Sequence, residues 1–259
     1  MIEAQVQSTA TGAIVFDRAL GISPPDDAWF ERAHWTARGL SDAQAGGRGG
    51  VAFVETPIGA CALRHYHRGG LIARFSADRY LWKGAARTRA FREFNLLAQL
   101  ANAGLPVSVP IAARYVREGF RYRADLLTRR IAPAQTLANR LAAGSLGASI
   151  AQGIGRTIAR FHAARVWHAD LNAHNIILME NPVDTDRAVW LIDFDRGRLR
   201  KPKLAWQQAN LKRLRRSLDK LGAQRVDDFD VQFWHPLLAA YHAAMSRAAD
   251  SAAVAGAAS

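Results

Sequence analysis

The sequence predicts an α+β fold of two lobes, an antiparallel sheet followed by a mainly helical part. Short apolar, strand-like segments gather before about residue 131, and segments with helical apolar spacing gather after it. A polar joint, Arg129-Arg130-Ile131, separates the two regions, which sets a smaller lobe over 1–131 and a larger one over 132–259. No internal repeat interrupts that order.

Each element follows from its residues. Ala13-Ile14-Val15-Phe16 reads as a strand, and Ser23-Pro24-Pro25 announces a short helix over 26–37. The cluster Gly46-Gly47-Arg48-Gly49-Gly50 opens directly into a strand from Val51 to Glu55. Thr56-Pro57 turns that strand back into a second one from Gly59 to Tyr66, and a further hairpin is expected near Gly69-Gly70. Phe91, Phe94, Leu97, Ala98 and Ala101 recur at helical spacing over 85–103, and Gly104 and Pro106 stop the helix. Glu118-Gly119 supplies the turn between strands 111–116 and 120–128. Helices are expected over 135–143, 148–165, 206–221 and 229–247, with a short strand at Val189 to Phe194 and a frayed Ala/Gly/Ser tail.

Composition narrows the function. The chain has 259 residues, 49% of them hydrophobic, enough for a substantial core. Its one cysteine, Cys61, cannot build a disulfide framework or a cysteine zinc site and reads as a buried, inert thiol. The N-terminus lacks a basic start followed by an apolar run, and no window is apolar enough for a membrane span. A net charge of +13, carried mostly by arginine, asks for an anionic partner: nucleic acid, an anionic membrane surface or a phosphorylated substrate.

The strongest chemical signal is His168-Ala169-Asp170-Leu171-Asn172-Ala173-His174-Asn175, with Leu191-Ile192-Asp193-Phe194-Asp195 some fifteen residues beyond its end. The first string fits the H-x-D-L-x-x-x-N catalytic loop of protein kinases, and the second fits D-F-G in its first two letters. Phosphoryl transfer needs a carboxylate beside the attacking hydroxyl and hard oxygen ligands for the Mg²⁺ that bridges nucleotide phosphates. Asp170 suits the first task, as catalytic base. Asn175 and Asp193, on two strands expected to pair, suit the second. The expected fold is therefore bilobal and protein-kinase-like, with ATP and Mg²⁺ as cofactors. Gly47, Gly49 and Gly50 stand where a phosphate-covering loop belongs, although Ala52 breaks the G-x-G-x-x-G pattern. Cys61-Ala62-Leu63-Arg64 aligns with V-A-I-K, so Arg64 is the candidate phosphate-binding cation, with Lys83 as an alternative. Glu93 is its candidate acidic partner, or else a surface residue paired with Arg89.

These strings, with Leu63-Arg64-His65-Tyr66, Arg68-Gly69-Gly70, Thr88 to Phe94, Tyr122 to Thr128 and Asp193-Phe194-Asp195-Arg196-Gly197-Arg198, closely resemble the lipopolysaccharide kinase family in its Kdo-kinase branch. The resemblance covers most of residues 40–220. It implies transfer of phosphate from ATP to the 4-hydroxyl of a Kdo sugar (3-deoxy-D-manno-octulosonic acid) on lipid A, at the cytoplasmic face of the bacterial inner membrane. By position it implies Asp170 as the catalytic residue, Asn175 and Asp193 as metal ligands, and Arg64 as the phosphate-contacting cation. Asp195 replaces the pivoting glycine of D-F-G, which argues against a protein-kinase-style switch, and no A-P-E follows, which argues against a protein substrate. No protein partner and no nucleic acid is expected.

Residues 196–216 hold nine Lys or Arg and no acid, with Trp206, Leu211 and Leu214 among them. That composition fits peripheral contact with an anionic leaflet, and equally an Arg-rich solvated helix face. Four rivals remain. His168, Asp170 and His174 could form a transition-metal hydrolase site, but Asn175 and Asp193 would then lack a reason for their spacing. A nucleic-acid binder would lack a recognition motif. A kinase-like enzyme could take another acceptor, such as a heptose or a small molecule, and a pseudokinase would bind ATP without turnover.

Overall fold

The computed structural model describes residues 1–39, 41–46, 50–67, 78–180 and 188–257. Gly47, Gly49 and the expected hairpin at Gly69-Gly70 lie outside them. The chain forms two compact units: residues 1–104 with 108–130, and residues 105–107 with 131–259.

The first unit is built on an antiparallel sheet. Its strands are β1 (Ala4–Ser8), β2 (Gly12–Asp17), β3 (Ser41–Gly46), β4 (Val51–Thr56), β5 (Gly59–His65), β6 (Tyr80–Leu81), β7 (Pro110–Glu118) and β8 (Arg121–Arg129). They run in the order β1-β2-β7-β8-β5-β4-β3, with β6 added to β8. Gly119, at φ 59°, makes the β7–β8 turn that Glu118-Gly119 predicts. The two faces of the sheet are covered differently. Tyr115 of β7 meets Phe91 of helix α2 (Arg89–Asn102; the short helix α1 is Arg32–Thr36) edge-on at 5.2 Å. Its neighbour Arg114 points to the other face and donates to the Asp27 carbonyl at 3.0 Å.

That second face explains the N-terminal region. Phe30 and Trp35 pack with Ile14, Phe16, Val54, Cys61, Leu63 and Leu127 in one cluster. Arg114 fastens the covering segment: it bonds Asp125 on the neighbouring strand at 2.8 and 3.0 Å and reaches Glu31 at 2.9 Å. The first 36 residues therefore extend the sheet by two strands and roof it. Alternating polar residues hid β1 from its composition, because all five of its residues are exposed.

The second unit contains β9 (Ala134–Thr136), α3 (Leu137–Ala142), α4 (Ala148–Ala163), β10 (Val166–Trp167), β11 (Ile176–Met179), β12 (Val189–Leu191), β13 (Arg198–Leu199), α5 (Leu204–Lys220) and α6 (His235–Ala257). The helix expected from 135 starts two residues later, because 134–136 pair with β11 and the Thr136 hydroxyl caps the helix by accepting from Asn139 N–H at 3.0 Å. Residues 230–234 form a π-turn ahead of α6, which continues to Ala257 where fraying was expected. Gly155 lets α4 and α6 touch: a Cβ there would stand 2.2 Å from the Leu237 carbonyl oxygen.

Trp206, Leu211 and Leu214 are buried. This corrects their reading as part of a membrane-facing stretch: their helical spacing turns them inward, and Trp206 packs edge-on against His162 at 5.0 Å. The apolar side chains exposed in that region are Leu199 and Leu204.

His162 joins three helices. Asn210 of α5 donates its amide N–H to the His168 carbonyl at 2.8 Å, so its oxygen accepts from His162 Nε2–H at 3.3 Å. His162 Nδ1 then accepts from the Tyr241 hydroxyl of α6 at 2.9 Å. Burial holds His162 neutral, its pKa lowered to about 4, and pushes Tyr241 up to about 12. An unfolded chain protonates this histidine near 6.5, so its contribution is complete above that pH and is lost as pH falls toward 4. Urea unfolding at pH 7.5 and pH 5 should show wild type losing about 2 kcal/mol more than His162→Gln across that interval. Equal losses in the two proteins would contradict a buried neutral His162.

Candidate active site

The loop after β10 begins with a fully enclosed histidine. His168 Nδ1 accepts from the backbone N–H of Asp170 at 3.1 Å, which leaves Nε2–H to donate to the Ile192 carbonyl at 2.9 Å. Burial lowers its pKa, so the ring is uncharged. With both nitrogens engaged by backbone, His168 cannot ligate a metal, which removes the hydrolase rival. The Phe194 ring lies against it at 4.7 Å and stacks on Phe161 at 5.7 Å.

The rest of the loop closes on Asp170. Leu171 and Ala173 point inward, and Ala173 N–H donates to the Ser217 hydroxyl of α5 at 3.1 Å. The Asn172 carboxamide oxygen caps the turn Ala173–Asn175, accepting from His174 N–H at 2.8 Å and Asn175 N–H at 3.2 Å. The amide NH₂ groups of Asn175 and Asn172 both donate to the Asp170 carbonyl, at 2.9 and 3.2 Å. Asp170 is thus fixed by its backbone while its carboxylate stays half exposed, accepting from Arg213 Nη1 at 3.1 Å.

Asn175 and Asp193 are joined through the β11–β12 ladder. Ile176 faces Leu191, and Ile192 N–H donates to the Asn175 carbonyl at 3.1 Å, extending the pairing by one step. Asp193 follows directly with φ 64°, a left-handed conformation that costs a non-glycine residue about 1 kcal/mol. Among the described residues no cluster of three His, Cys, Asp or Glu could hold a metal. Mg²⁺ needs no such cluster, since it takes one or two protein oxygens with phosphates and water. The Asn175 amide, committed through its nitrogen to Asp170, keeps its oxygen end for a cation, and Asp193 adds a carboxylate, so the donor set fits Mg²⁺.

The first unit carries the cationic residues. Arg64 on β5 forms an ion pair with Glu93 of α2 and donates to the Tyr66 hydroxyl at 3.1 Å. The Tyr66 hydroxyl donates to the same Glu93 oxygen at 2.6 Å, and Arg64 lies 4.6 Å from the Tyr66 ring centre. Glu93 is 2% exposed, which rules out a solvated helix face, and Lys83 is an exposed loop residue. Between the two candidate cations, Arg64 is the one tied to the buried carboxylate. Gly50, at φ 64°, immediately precedes β4, whose first residue Val51 is the cross-strand partner of Arg64.

Sequence reading missed Arg213, Asn210 and Asn172. Asn172 lies inside the motif at a variable position, and its Asx-type cap was a readable signal. Arg213 looks like any other arginine of its helix, so only the fold could pair it with Asp170. Replacing Glu93 by alanine removes the shared acceptor of Arg64 and Tyr66 and should lower the unfolding free energy by about 2–3 kcal/mol, below the full buried-pair range because Arg64 is partly exposed. Urea denaturation measures this, and an unchanged midpoint would contradict the central role of Glu93.

Residues 32–241 match the sequence profile described as "Lipopolysaccharide kinase (Kdo/WaaP) family". A curated protein of Stenotrophomonas maltophilia (strain K279a), named 3-deoxy-D-manno-octulosonic acid kinase, is 49% identical over 218 residues, 84% of each chain. Proteins of the same name from Xanthomonas euvesicatoria pv. vesicatoria (strain 85-10) and Xanthomonas oryzae pv. oryzae (strain PXO99A) are 48% and 46% identical, covering 86% and 91% of this chain and 86% and 92% of their own. A solved structure titled "WaaP in complex with acyl carrier protein" aligns with TM-score 0.49 and 17% identity over 83% of this chain and 90% of that one. On the profile match and these identities, the chain belongs to the lipopolysaccharide kinase (Kdo/WaaP) family.

Proposed function

We propose that the protein transfers the γ-phosphoryl group of ATP to the 4-hydroxyl of a Kdo residue on lipid A. Family membership makes it a phosphotransferase of lipopolysaccharide assembly that acts on a sugar hydroxyl, and the relatives' shared name supports Kdo as that sugar. The observation that carries the mechanism is the fixed backbone of Asp170 with its half-exposed carboxylate.

In this reading Asp170 accepts the proton of the attacking hydroxyl as its oxygen bonds the γ-phosphorus and the bond from that phosphorus to the bridging oxygen breaks, releasing ADP. Asn175 and Asp193 would hold Mg²⁺, which would supply positive charge against the phosphate oxygens. Arg64, oriented by Glu93 and Tyr66, offers its guanidinium to a nucleotide phosphate. The reading extends to a peripheral position on the cytoplasmic side of the inner membrane. Its support is the basic stretch 196–203 with exposed Leu199 and Leu204.

The test is transfer from labelled ATP·Mg²⁺ to purified Kdo-lipid A, with the product's phosphate position read by ³¹P–¹H correlation. Wild type should label the sugar at its 4-hydroxyl, chelation of Mg²⁺ should stop transfer, and Asp170→Ala should lower the rate by about 10²–10⁴-fold. A phosphate on another hydroxyl would refute the regiochemistry, and full activity in Asp170→Ala would refute the base.

A further inference from the structure

Arg213 stands in a position that the phosphotransfer mechanism does not yet use. It reaches from α5 to Asp170 with a single nitrogen, Nη1, at 3.1 Å, and its side chain is 47% exposed. Nε and Nη2 are left as donors on the other edge of the guanidinium. Its exposed neighbours on α5 include the cationic Lys212 and Arg216, beside the neutral Ala209. The acid of that stretch, Asp219, is engaged by Arg215 at 2.9 Å. The helix itself is pinned to the catalytic loop through Ser217 and Asn210, so Arg213 is held against Asp170 by a rigid element.

A base that receives a proton from the acceptor hydroxyl must touch the acceptor. A guanidinium bonded to that base therefore lies within one side chain's reach of the acceptor's other groups. Its remaining planar edge matches a carboxylate, which it can bind with two parallel N–H···O bonds. We propose that Arg213 is the specificity-determining residue for an acidic sugar, binding the acceptor's carboxylate with one edge while the other holds Asp170. This rests on the Kdo reading above and adds the residue that selects an acid over a neutral sugar.

The experiment compares Kdo-lipid A with the methyl ester of the same acceptor, for wild type, Arg213→Gln and Arg213→Lys, reading kcat/KM for each pair. Wild type should prefer the acid by about 10–100-fold, the range of a charge-assisted pair. Arg213→Gln, which also loses its contact to Asp170, should be slower on both acceptors and show a ratio near unity. Arg213→Lys, keeping the charge without the fork, should fall between. A wild-type ratio near unity overturns the proposal while leaving Kdo phosphorylation standing. A ratio retained in Arg213→Gln also overturns it, and an equal loss on both acceptors with that ratio retained assigns Arg213 to the transferring phosphoryl group instead. Wild type that labels neither acceptor refutes the Kdo reading itself, and this inference with it.

Discussion

His168 donates from Nε2 to the Ile192 carbonyl and accepts at Nδ1 from the Asp170 N–H, and the chemistry of the second unit hangs on that pair of bonds. One bond sets the start of the loop that carries Asp170 and Asn175. The other fixes the strand end that carries Asp193. The ring can serve both only as the uncharged Nε2–H tautomer, because an imidazolium would confront the Asp170 N–H with a second donor. Burial between Phe194 and the loop enforces the neutral form. The chain of bonds continues inward: Asn210 supports the His168 carbonyl, His162 supports Asn210, and Tyr241 supports His162. Each member has a defined donor and acceptor, so the loop's geometry is set from the core of the helical unit outward.

Much of this was legible in the sequence, for physical reasons. The H-A-D-L-N-A-H-N string and the apolar run before Asp193 predicted a loop and a hairpin, and both are present. The α+β class and most strands followed from apolar alternation and turn residues such as Gly119. Glu93 was readable as an acidic partner, although its burial was not. What escaped was whatever depends on long-range placement. β1 is exposed along its whole length and is held as a strand by pairing with β2. Arg114 looks like a surface residue, yet it is buried among Asp27, Glu31 and Asp125 to hold the N-terminal roof. Trp206, Leu211 and Leu214 carry the same composition in a membrane-facing helix and in a buried one, and their burial in the second unit decides for the core.

The basic character of the chain resolves into distinct uses. Arg64 and Arg114 face buried carboxylates, where a guanidinium's fork satisfies several acceptors at once. Arg200 lies over the Trp167 ring at 3.6 Å, beside the exposed Leu199. Arg213 contacts the proposed base. Net charge alone would have allowed a nucleic-acid partner. The individual placements instead spend several arginines on particular carboxylates and rings.

The most direct test of the central claim is the state of His168 itself. Nitrogen-15 shifts of its imidazole, assigned with a His168→Asn control, can be followed from about pH 8 to pH 5. The account predicts the neutral Nε2–H tautomer at neutral pH, with protonation displaced below the ordinary histidine range. A ring that titrates in the ordinary histidine range, or one found as the Nδ1–H tautomer, would contradict the claim that one uncharged imidazole sets the positions of both carboxylates.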